Sequence, residues 1–96
     1  MNNEIKPPYE VTILDDAPVE VESLYRGVAV ILTPLQVAVY DRLMGALAIL
    51  DEHAGHEITI VAKDKTINQD DLIDVVDKGK EWFVRHYPDI YYALLD

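Results

Sequence analysis

Asp70, Asp74, Asp77 and Glu81 recur at i, i+4, i+7 and i+11. In a helix that spacing lines four carboxylates along one narrow strip, roughly 16 Å from end to end at about 1.5 Å per residue. Such an array can do two things. It can solvate a helix face, or it can present negative charge to a basic surface, imitating nucleic-acid phosphates and so blocking a nucleic-acid-binding protein. Lys78 and Lys80 flank the strip, and Asp74–Lys78 and Glu81–Arg85 stand at the i, i+4 spacing of ordinary helix ion pairs. Solvation is the simpler reading.

The other polar constellations carry less chemistry. His53 and His56 lie within DEHAGHE, residues 51–57, beside three acids, and imidazoles can ligate zinc. Gly55 is expected to end a helix between them, however, and no third ligand stands at a recognised spacing. Asp64, Thr66, Asn68 and Asp70 place oxygens like the first ligands of a calcium loop. Gln69 then stands where that loop needs glycine, and Val75 where it needs glutamate. The stretch is read as a turn followed by an N-cap, and no metal is expected. Ser23 is the only serine and has no histidine near it, and no glycine-rich phosphate loop, GxSxG or HExxH occurs. Cysteine is absent, which removes disulfides, thiolate ligands and thiol nucleophiles. The expectation is a non-enzyme without a cofactor.

Apolar surface is the stronger signal. In the tail, Tyr87, Ile90, Tyr91, Leu94 and Leu95 fall at i, i+3, i+4, i+7 and i+8, one face of a helix, with Trp82 just upstream. Aromatic side chains anchor interfaces, and they also close cores. Two readings therefore stand: a tail folded over its own domain, or an acidic, apolar peptide offered to a partner's groove. Upstream, Leu35, Val39, Leu43, Ala46, Leu47 and Leu50 make one stripe, while Val37, Tyr40, Met44 and Ala48 make a second. A helix apolar on both flanks is either central in its fold or shared with another chain, so the second stripe is a candidate homodimer seam. Gly45, Ala46 and Ala48 would let another element approach closely.

These side chains need elements to hold them. Residues 1–8, with Pro7 and Pro8, read as a flexible arm ahead of a single domain, 9–96. YEVTIL, 9–14, is short and rich in β-branched residues, and reads as a strand. DDAP is a turn. Val19 and Val21 alternate with Glu20 and Glu22, which marks 19–25 as a half-buried strand, and GVAVIL, 27–32, has no polar face and suits a buried one. Thr33 as N-cap and Pro34 at the first position open a helix over 34–53, which Gly55 stops. A short strand at 57–62 and a polar turn follow. Asn68 caps a second helix, 69–87, with Asp70 and Asp71 in its first turn and Arg85 and His86 in its last, as the helix dipole prefers. Gly79 sits inside that helix, where glycine is costly, and signals close packing against the first helix. Pro88 breaks the chain into a third, short helix, 89–95. The fold class is α+β: an N-terminal β-hairpin or meander packed on two main helices, with a short C-terminal helix.

The chain has 96 residues, half of them hydrophobic, and a formal net charge of −10 spread along its length. That field repels nucleic acid and anionic membranes and favours basic partners. The first residues carry neither an apolar signal core nor a basic leader, and no apolar run reaches the length of a membrane span.

The runs LTPLQVAVYDRLMGALAIL and WFVRHYPDIYYALLD together resemble small uncharacterised proteins of tailed bacteriophages, those of marine cyanobacteria in particular. The likeness covers about half of the chain and leaves out the N-terminal strands. It implies a setting rather than a residue role: small acidic phage proteins that bind and redirect host machines, in the cytoplasm of the host cell. The expected function is a non-catalytic protein–protein interaction module, a phage-encoded modulator of a host protein complex. An acidic nucleic-acid mimic and a small homo-oligomeric structural protein are the alternatives.

Overall fold

The structure is a computed structural model, and it describes residues 5–23, 27–53, 59–62 and 65–95. Two antiparallel hairpins alternate with three helices in an α+β arrangement.

Val19–Glu22 (β1) pairs with Ala29–Leu32 (β2), with Val19 opposite Leu32 and Glu22 opposite Ala29. Period-two alternation divides the faces: Val19, Val21, Val30 and Leu32 turn towards the core, and Glu20, Glu22, Ala29 and Ile31 face solvent. The Ser23 N–H donates to the Val28 carbonyl at 2.8 Å, and Gly27 takes φ +64°, a value that a side chain makes costly. Of the run 27–32, expected to be a buried strand, only Ala29–Leu32 is strand, and it is covered on one face only, with Ile31 70% exposed. The strand expected over 19–25 ends at Glu22, and its residues 24–25 lie outside the described residues.

Pro34–Glu52 (α1) starts as its sequence dictates. Thr33 Oγ1 accepts from the Gln36 N–H at 3.3 Å, and Gln36 Oε1 accepts from the Thr33 N–H at 2.9 Å, a reciprocal capping box. Gln36 is buried, but its amide is spent on that cap. The helix ends at Glu52 with His53 as its cap, and Gly55 and His56 lie outside the described residues. Thr59–Ala62 (β3) pairs antiparallel with Lys65–Asn68 (β4). The second strand of this hairpin stands where a polar turn was expected, because the polar run KTIN pairs through backbone bonds that a hydrophobic pattern does not report. Asp64, the first residue of the calcium-like spacing, is outside the described residues, while Thr66 and Asn68 sit in β4.

Gln69–His86 (α2) opens on a second capping box, with Asn68 and Asp71 exchanging bonds of 3.0 Å each. Pro88–Leu94 (α3) follows Tyr87 directly. Among the described residues no helix is long and apolar enough to cross a membrane.

The expected strand at 9–14 is not one: no strand includes these residues. β-branched side chains fit a pleated, half-buried surface, and that preference does not supply a neighbouring strand. The segment instead runs beside α1, where the Tyr9 hydroxyl donates to the Val39 carbonyl at 2.8 Å and the Arg42 guanidinium lies 5.6 Å from the ring centroid. The described part of the arm is held too. Ile5 packs against the core, and Trp82 Nε1–H donates to the Lys6 carbonyl at 2.7 Å.

The core forms where β2, α1, α2 and α3 meet, around Leu32, Val37, Val39, Tyr40, Trp82, Phe83 and Leu94. A smaller cluster of Ala46, Leu72 and Val76 continues it between α1 and α2. Gly79 lies where the two helices come closest. A Cβ placed on it would stand 2.5 Å from Leu43 Cδ1 and 2.8 Å from the Tyr9 hydroxyl. Leu43 is fully buried, so its side chain can give way only by displacing its own neighbours in the core. Overpacking of this kind costs about 1–3 kcal/mol, against about 1 kcal/mol of helix propensity gained by alanine. Gly79→Ala is therefore expected to lower the urea midpoint at an unchanged m-value. A raised midpoint would show that the helices have room to separate.

Candidate functional site

Each expected interaction surface has a definite place. The tail folds over its own domain. Leu94 and Trp82 are buried in the main core, and Tyr87, Ile90, Tyr91 and Leu95 are half-buried against it. Trp82 meets the ring of Phe83 edge-on at 4.9 Å and that of Tyr87 at 5.2 Å. Of the two readings of these six residues, the packing is that of a tail closing its own domain, as a short apolar helix beside an uncovered core buries itself there first. Tyr92, which points away, is 57% exposed.

The candidate homodimer seam divides as well. Val37 and Tyr40 are buried within the chain, Met44 is half-buried against the same core, and Ala48 is exposed. A seam using all four would have to open the core, so α1 is the central helix of the fold at its N-terminal half.

The acidic strip is intact and solvated. Asp70, Asp74, Asp77 and Glu81 are all exposed along α2. Asp74 pairs with Lys78 at 2.9 Å and Glu81 with Arg85 at 2.9 Å, both in exposed i, i+4 geometry. Pairs of this type contribute only tenths of a kcal/mol, about 0.2–1 at most, and exchange readily with other ions.

What sequence reasoning missed is a groove. Over the seam where the C-terminal half of α1 packs on the N-terminal half of α2 lies about 470 Å³ of open space, lined by Gly45, Ala46 and Ile49 from α1, Leu72 and Val75 from α2, and Ile67 from β4. Tyr9 and Arg42 stand at the α1 side, and Asp71 and Asp74 at the α2 side. Burial pushes the Tyr9 hydroxyl up to about 12, partly countered by Arg42, so it remains a protonated donor to Val39. Nearby, partial burial and then the Asp15 carboxylate push Asp41 upward, and burial followed by Asp41 pushes Tyr40 upward. Gly45 is exposed at the groove, and a Cβ built on it meets nothing within 4 Å among the described residues. Its small size was visible in the sequence; the groove needs two elements distant in the chain and was not. No cluster of three or more His, Asp or Glu side chains with metal-site geometry occurs among the described residues.

Compared with known proteins, the chain matches no family model, no curated protein and no solved structure.

Proposed function

We propose that this chain is a non-catalytic, acidic protein-binding module, acting as a phage-encoded modulator of a host protein complex in the host cytoplasm. The observation that carries the reading is the α1–α2 groove: a trough lined by the half-buried Ile49, Ile67 and Val75 over the buried Ala46 and Leu72, with carboxylates along one rim. A trough with apolar side chains at its base and polar groups along its rim has the anatomy of a helix-binding protein site.

Nucleic-acid mimicry is supported by the four exposed carboxylates of α2. It is the weaker reading on two counts. Four charges over roughly 16 Å are sparser than one phosphate per about 3.4 Å of axis along a DNA strand, and Lys78 and Arg85 already offset two of them.

Affinity capture from host-cell lysate at low and high salt separates the two readings, followed by reconstitution with the purified partner. A module is expected to retain one stoichiometric protein partner at high salt, and the double substitution Asp74→Lys with Asp77→Lys should weaken capture without abolishing it. A nucleic-acid-binding partner lost both at high salt and on charge reversal would instead establish mimicry. No partner, together with a doubled mass in light scattering, would make the chain a homo-oligomer.

A further inference from the structure

We infer that the α1–α2 groove receives a basic amphipathic helix from a partner protein, laid against Gly45. The inference rests on the protein-binding reading above and adds the site and the chemistry of its ligand.

Gly45 is the first support. It sits in the interior of α1, where glycine is unfavourable relative to alanine. No positive φ requires it, and no neighbour among the described residues comes close enough to exclude a side chain. Gly79 shows the contrast, since there the chain itself fills the space. A glycine that its own fold does not need, exposed in the lining of the groove, permits close approach by a backbone from outside.

The shape of the groove is the second. Gly45, Ala46 and Ile49 on one wall and Leu72 and Val75 on the other follow helical spacing, so a third helix can lie along both. The usual ligand for such a trough is a helix whose apolar side chains recur at i, i+3, i+4 and i+7.

Charge selects the occupant. Asp71 and Asp74 border the groove, and Asp70 and Asp77 extend the exposed carboxylates along α2. Arg42, on the other side, is drawn over the Tyr9 ring. Lys78 holds Asp74 only through a solvent-exposed pair, which a partner's lysine or arginine can replace. The net charge of −10 adds long-range attraction for cations. A second copy of the chain would bring the same carboxylates and the same net charge against themselves.

The probe is a synthetic Leu/Lys amphipathic peptide of about four helical turns, with a Leu/Glu peptide of identical pattern as control. Amide chemical shifts of the isotope-labelled protein locate binding, and anisotropy of the labelled peptide measures it. The Leu/Lys peptide is expected to bind, with shifts concentrated at Gly45, Ala46, Ile49, Leu72 and Val75, and the Leu/Glu peptide is expected not to bind. Gly45→Leu projects a side chain into the groove from a position whose Cβ meets nothing within 4 Å among the described residues. It should hold or raise the thermal midpoint and weaken the peptide by about tenfold or more, about 1.4 kcal/mol.

Binding that is unchanged in Gly45→Leu, or shifts scattered along the acidic strip, would overturn the proposal as general charge attraction. So would the absence of Leu/Lys binding. A dimer in light scattering that Gly45→Leu converts to monomer would overturn it in favour of a second copy. A natural partner captured equally by both proteins removes the groove and leaves the protein-binding reading standing. Failure to capture any partner, with the peptide still seated at Gly45, counts against that reading and for the groove.

Discussion

Phe83→Ala is expected to remove about 3–5 kcal/mol of stability, the range for emptying a large aromatic site in a core. Whole domains rest on about 5–15 kcal/mol, so the variant should either melt tens of degrees lower or lose its cooperative transition. Phe83 is fully buried, its ring meets Trp82 edge-on at 4.9 Å, and its carbonyl accepts the Tyr87 N–H at 2.7 Å where α2 gives way to α3. The surrounding core is close-packed, so the vacated space closes only in part. Phe83→Leu keeps most of the apolar volume and should lose much less. Thermal and urea unfolding followed by circular dichroism measures both. Equal, small losses in the two variants would mean that the site is loosely packed.

The second large effect concerns the tail. Leu94→Ala is expected to cost about 2–5 kcal/mol, as for other buried leucines, because Leu94 is only 8% exposed and closes the main core against β2 and α2. Tyr92→Ala on the opposite side of α3 should stay within about 0.5 kcal/mol. The comparison is informative because both substitutions truncate the same short helix. If Leu94→Ala left the urea midpoint in place and instead abolished partner capture, the tail would be a docking peptide after all.

The two helix starts were legible because they depend on local chemistry. Thr33 and Asn68 hydrogen-bond residues three positions on, and the sequence holds both partners side by side. The close approach at Gly79 was legible for a related reason, since a glycine inside a helix needs a cause. The tail could not be resolved in the same way. Apolar residues at i, i+3, i+4, i+7 and i+8 say that a face will be covered without saying by what, and the answer lies with Leu32 and Tyr40, far upstream. Residues 9–14 and 65–68 failed in opposite directions. The first has strand-forming residues and no partner strand among the described residues, and the second has a partner and no hydrophobic signature. The groove was out of reach because its walls, around Gly45 and Val75, belong to helices joined by a hairpin that the sequence only half revealed.

Trp82 ties the first described residues to the last element: its indole N–H holds the Lys6 carbonyl, 76 residues away, and its ring meets Tyr87 at the threshold of α3. That arrangement sets an order of events during synthesis. Loops of such length close late and slowly, and the ribosome delivers about 5–20 residues per second. The N-terminal segment therefore waits several seconds for the tryptophan that anchors it. Once α1 has been made, its apolar side stands without the α2 residues Trp82 and Phe83 that cover it until they too have left the ribosome.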